Sequence, residues 1–142
     1  PSMFPDFFNA KIGRQKATVV ITDEKWLKDT FVPDVGTRGA AIIAARGASS
    51  AASAANAVVD TVRDLIAPSF GSFHSVCVVS RGEYGTPAGI ITSLPIKVDA
   101  VGNWRVVEGI SLNDYAKEKI AASNQELLDE REMAFGQLGL SI

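Results

Sequence analysis

The sequence predicts an α+β domain in which an antiparallel sheet packs with long helices. Three observations lead there. A β-branched run is followed by helical stretches before any second strand appears, so strands and helices do not alternate as a parallel sheet requires. Three strand-like segments then stand close together, two of them joined by a tight turn. A helical pattern of more than twenty residues closes the chain. With 142 residues, 46% hydrophobic and 21% charged, the chain has ordinary globular composition and enough length for one core. A single domain over 1–142 is the expectation.

The elements come in order. After an irregular start at Pro5-Asp6, Lys16 to Ile21 reads as a β-branched strand. Thr22-Asp23 caps a helical stretch beginning Glu24-Lys-Trp-Leu. Pro33 and Gly36 interrupt that helix, which resumes as Thr37 to Arg46 and closes at Gly47. From Ser50 a further helix sets Ala51, Ala54, Ala55, Val58, Val62, Leu65 and Ile66 along one face until Pro68 stops it. Phe73 to Ser80 is a strand by its β-branched content, and a Gly-rich turn runs from Gly82 to Gly89. A hairpin has arms Pro95 to Val101 and Trp104 to Glu108, with positive φ values expected at Gly102-Asn103. Ser111 and Asp114 resemble a capping box opening a helix that runs to about Leu138 and uses Ala116, Ile120, Leu127, Ala134 and Leu138 as apolar positions.

Composition excludes several functions. A formal charge of -2, with both signs intermixed, offers no basic field to a phosphate backbone, so nucleic acid is not expected as a partner. One Cys and one His cannot supply the ligands of a zinc site, and no metal is expected. No apolar run approaches the roughly 20 residues that span a bilayer, and the opening Pro1-Ser-Met-Phe lacks the regions of a signal peptide. The single Cys77 fits a reducing cytoplasm, and its apolar surroundings read as those of a small core residue.

Chemistry is sparse. His74, the one histidine, sits inside a strand with no orienting carboxylate placed by any motif, which favours a structural or surface role. No two glycines flank a single residue, so the Gly-x-Gly-x-x-Gly of a dinucleotide-binding turn is missing. Ser49, Ser50 and Ser53 have no nucleophile elbow around them, and helix capping by Ser49 or Ser50 is a sufficient explanation. Arg14, Arg38 and Arg46 read as surface residues, and the acidic stretch Gln125 to Glu132 as a solvated helix face. Glu108, Gly109, Asn113 and Asp114 read as turn and cap residues.

The small-residue stretch Arg38 to Asn56, Gly82-Glu-Tyr-Gly-Thr-Pro, Val106-Val-Glu-Gly-Ile-Ser-Leu-Asn-Asp114 and Gln125-Glu-Leu-Leu-Asp-Glu together resemble the malate dehydrogenase family over nearly the whole chain. The resemblance is to the catalytic, carboxyl-terminal domain alone. It implies an NAD-dependent interconversion of malate and oxaloacetate in which the dinucleotide-binding domain lies outside this chain. The family's proton-transferring histidine stands in an Asn-His-Ser motif shortly before a Pro-Asp pair. Here Pro5-Asp6 comes at the start, so no catalytic residue is expected in the chain and His74 does not match. The resemblance places Ser49 in the substrate pocket, with Ala52 in its wall where many relatives have Met. Capping and pocket roles for Ser49 are compatible, because the positive end of a helix dipole favours an anionic dicarboxylate. A homodimer is also implied, with the Ala-rich helix near the subunit interface. Lactate dehydrogenase and a non-catalytic binding or dimerisation module are the alternatives, and the Val106 to Asp114 run favours malate.

Overall fold

The computed structural model describes residues 3–140, so the opening Pro1-Ser2 and the closing Ser141-Ile142 lie outside it. The described chain divides between Asn56 and Ala57 into two compact units.

In Met3–Asn56, Asp6 forms a turn by accepting the N–H groups of Phe8 and Asn9, each at 3.2 Å. Phe7 stacks on Phe8 with ring centroids 4.3 Å apart and is buried together with Ala17 and Leu27. Strands β1 (Lys11–Ile12) and β2 (Gln15–Lys16) form a short antiparallel hairpin around Gly13, at φ 61°. The strand expected from Lys16 to Ile21 is instead one helical turn, α1 (Ala17–Val20). Its β-branched residues have no sheet to join. Ala17 is buried and donates its N–H to Ala10 O at 2.9 Å, which sets the backbone against intrinsic preference.

Asp23 caps α2 (Glu24–Trp26) as expected, accepting from Trp26 N at 2.9 Å. The break expected at Pro33 and Gly36 is absent, which corrects the sequence reading. A π-helical turn, Leu27–Phe31, leads directly into α3 (Val32–Arg46), and Pro33 falls where the wider turn gives way to the α-helix. Gly36 costs about 1 kcal/mol relative to Ala and is carried by the helix around it. Gly47, at φ 70°, closes α3 with its N–H on Ile43 O at 2.8 Å. Helix α4 (Ala52–Ile66) comes next.

Residues 57–140 hold the antiparallel sheet. Strands β3 (His74–Val79), β4 (Ile91–Val98) and β5 (Trp104–Val106) lie in that spatial order, with His74 opposite Ile96 and Ile96 opposite Val106. Leu94, Ile96 and Val98 alternate with more exposed residues, so one face of β4 is core and Ile96 is completely buried. β4 starts four residues earlier than the expected hairpin arm because its first half pairs with β3 rather than β5. Pro95 is tolerated in this central strand: its carbonyl accepts from Val107 N at 2.8 Å, and its nitrogen lies on the β5 side, where no donor is demanded.

Side chains shape the connections. Tyr84, in a 3-10 turn (Glu83–Gly85) at φ 53°, donates its hydroxyl to Val107 O and accepts from Ile110 N at 3.4 Å, tying this turn to the segment after β5. The β4–β5 turn differs from expectation. Gly102 has φ 90°, but Asn103 is not left-handed; its N–H donates to Asp99 Oδ1 at 2.9 Å and its carbonyl accepts Asp99 N. Asn113, not Ser111, caps α5 (Asp114–Leu138), accepting from Ala116 N at 2.9 Å. Of the expected apolar positions in α5, Ala116 is buried, whereas Ala134 and Leu138 are exposed. Asn124, absent from that expectation, is buried and donates to Thr86 Oγ1 at 3.4 Å.

Asp99 and Glu83 are expected to make the second unit acid-sensitive. The Asn103 N–H holds the Asp99 carboxyl below its ordinary 3.8, and the Arg81 N–H holds that of Glu83 below 4.5. Both groups stabilise the fold above those ordinary values, and the contribution is lost as pH falls through the lowered ones. The melting temperature is therefore expected to fall on acidification below about pH 4, and Asp99→Ala should flatten that slope while lowering the melting temperature at pH 7. Thermal melts by circular dichroism across pH 3 to 7 test this; parallel curves for variant and parent would refute it.

Candidate functional site

Ser49, Ser50 and Ser53 stand around the start of α4. After the left-handed Gly47, Ser49 Oγ accepts from Ala51 N at 3.4 Å, and Ser50 Oγ lies 2.6 Å from Ser53 Oγ. Ala51 itself has φ 48°, a conformation that a residue with a Cβ adopts at a cost of order 1 kcal/mol. Its carbonyl nevertheless accepts from Ala55 N at 2.9 Å and starts the helix ladder. Ser49 and Ala52 are both exposed, as are Ala54 and Ala55.

Electrostatics distinguish this helix start from the other two long ones. The continuous helix that ends in α3 opens at α2 with Asp23 and Glu24, and α5 opens with Asp114, whereas the first turn of α4 has no acidic residue. A negative charge brought to either of those starts would meet a carboxylate; at α4 it meets only hydroxyls and the partial positive charge of the helix. Arg38 and Arg46 are exposed on α3.

His74 lies on the inner face of the sheet opposite Ile96, half-buried, and its Nε2 is buried with no hydrogen-bond partner. No carboxylate therefore holds that nitrogen in the way a general base requires. The core role expected for Cys77 is overturned. Along β3 the inner residues are His74, Val76 and Val78, and Cys77 falls on the exposed outer face with Ser75 and Val79. The apolar composition of the strand hid this, because only the register decides which alternate residues face the core.

A groove of roughly 320 Å3 opens between the Tyr84–Pro87 turn and α5, lined by Tyr84, Pro87, Lys117, Ile120, Asn124 and Leu128. Lys117 pairs with Asp114 at 3.2 Å and Asn124 with Thr86, so its polar groups are engaged within the fold. Among the described residues, no three His, Cys, Asp or Glu side chains are placed to hold a metal ion. No helix among them is long and apolar enough to cross a membrane.

Comparison with known proteins agrees with this architecture. The profile of the lactate/malate dehydrogenase alpha/beta C-terminal domain matches residues 1–137. The malate dehydrogenase of Naegleria fowleri is 41% identical over 91% of this chain, with a TM-score of 0.80. The lactate dehydrogenase of Trichomonas vaginalis, solved in complex with NADH and oxamate, is 32% identical over 94% of it, with a TM-score of 0.82. Malate dehydrogenase from Aeropyrum pernix, at 21% identity and a TM-score of 0.72, shares the fold. The chain covers 39% of the Naegleria chain and 42% of each of the other two.

Proposed function

Because the chain belongs to the lactate/malate dehydrogenase family, as its alpha/beta C-terminal domain, we propose that it forms the substrate-side wall of an NAD-dependent dehydrogenase that interconverts malate and oxaloacetate. The start of α4 carries this reading: it alone among the long helices described combines an acid-free first turn with hydroxyls at Ser49, Ser50 and Ser53, of which Ser49 and Ser53 are exposed and Ser50 is half-buried. Such a terminus suits the carboxylate of a 2-hydroxy or 2-oxo acid. Ser49 would contact that carboxylate and Ala52 would line the wall beside it. Malate is preferred over lactate because the identity to the malate enzyme, 41%, exceeds that to the lactate enzyme, 32%.

The residues of this chain do not fit a whole dinucleotide. No glycine turn of the phosphate-binding kind precedes any helix, and α5 opens with Asp114, which would repel a phosphate. NAD would supply the hydride acceptor, and the groups gripping its phosphates are not among these residues. What this chain can do is orient a carboxylate at α4. We further propose a homodimer using the exposed apolar face of α4, including Val58, Val62 and Ile66, to be checked by light scattering. A cytoplasmic setting is proposed from the single free thiol and would be tested by cell fractionation.

An assay of the full-length gene product with NADH and either oxaloacetate or pyruvate decides between malate and lactate. In that protein, Ser49→Ala is expected to lower kcat/KM for oxaloacetate by roughly 5- to 150-fold, the equivalent of about 1 to 3 kcal/mol for one contact to a charged ligand. His74→Ala should leave it within a few-fold of the parent. If His74→Ala abolished turnover and Ser49→Ala left it unchanged, both roles would be wrong.

A further inference from the structure

We infer that β3 is a docking edge for a second copy of this chain, paired antiparallel about a two-fold axis through Cys77. Among the described residues, the sheet order leaves β3 hydrogen-bonded to β4 on one side only. Ser80 N donates to Ile90 O at 2.9 Å, and on β4 Val98 bonds toward the β3 side through Ser69 while Pro95 bonds toward β5. That alternation assigns His74, Val76 and Val78 to the β4 ladder. The backbone N–H and C=O groups of Ser75, Cys77 and Val79 then point out of the free edge.

Exposed edges are commonly guarded by Pro, Lys, a bulge or a very short strand. β3 has none of these. It runs six residues, His74 to Val79, in unbroken register from Ile96 to Ile91. The side chains flanking its free edge, Ser75, Cys77 and Val79, are exposed and uncharged, and Val79 is 57% exposed.

Self-complementarity selects a second copy over a foreign strand. With Cys77 opposite its own copy, Ser75 to Val79 overlap, and Ser75 faces Val79 of the partner subunit. Three outward residue pairs then each exchange two backbone hydrogen bonds, and no like charges meet. At the ends, the exposed Phe73 comes opposite Arg81 of the partner subunit on the same face, where a guanidinium can stack on the ring. The edge offers an acidic or basic foreign strand no charge to read.

The test uses the purified 142-residue chain. Cys77→Lys and Cys77→Glu each set two like charges against one another at the two-fold axis. Light scattering should show each variant at half the mass of the parent, whatever other surface joins copies, and a 1:1 mixture should restore the parent mass. Copper-phenanthroline oxidation of the parent at micromolar concentration should give a covalent dimer through Cys77. A chain carrying Cys77→Ser with Ser93→Cys, which moves the thiol one strand inward on the same exposed face, should not crosslink. The inference fails if the parent is a 15.0 kDa monomer, if the single variants keep the parent mass, or if both thiol positions crosslink equally. Should the charged variants not fold, the two crosslinking reactions decide the matter alone.

Discussion

The pure 142-residue chain is expected to oxidise no NADH above a no-enzyme control when supplied with oxaloacetate. Its one histidine lies on the inner face of the sheet, with Nε2 buried and no hydrogen-bond partner, and it does not stand in the family's Asn-His-Ser motif. The sequence holds no Gly-x-Gly-x-x-Gly motif of the kind that grips a dinucleotide's phosphates. Losing a positioned base alone removes about two to four orders of magnitude, and losing the alignment of hydride donor and acceptor removes several more. Together these bring the rate to the background. The check is the decay of reduced-nicotinamide absorbance with and without protein. A rate above background that His74→Ala abolished would make His74 catalytic and overturn the assignment of chemistry to residues outside this chain.

Ile96→Ala is expected to cost about 2 to 5 kcal/mol, a large share of the roughly 5 to 15 kcal/mol by which a domain is stable. Ile96 is 0% exposed at the centre of β4, with His74 on one side and Val106 on the other, so the vacated space cannot be filled by a small local shift. The melting temperature should fall by roughly 10 °C or more. Ile91→Ala, on the same strand but facing outward, removes a side chain that is already 62% exposed and should cost under about 1 kcal/mol. Urea unfolding of both variants measures the contrast. A larger loss at Ile91 than at Ile96 would mean that the strand faces the other way and that Cys77 is not on the outer surface.

Features that depend on neighbours in sequence could be read along the chain. Asp23 caps a helix, Gly47 ends one in the left-handed region, and β3 and α5 lie within two or three residues of their expected bounds. Each rests on local chemistry: an acceptor three residues ahead of a donor, a missing Cβ, a β-branched run. The position of Ser49 before α4 was legible for the same reason, while a substrate-pocket role for it is implied only by the resemblance and is tested by the kinetics of Ser49→Ala.

Periodicity and turn chemistry are local properties, and they were enough to establish the α+β class, the antiparallel sheet and the caps that start α2 and end α3. Packing between distant residues settled the rest. Ala17 is buried and Val19 is not, so a β-branched run became a helical turn. A π turn carried the chain past Pro33 without a break. The pairing of Ser75 with Pro95 and of Cys77 with Ser93 sent the thiol to the surface. In each case two outcomes of similar local energy were separated by which side chains found cover, and cover depends on residues far away in the chain.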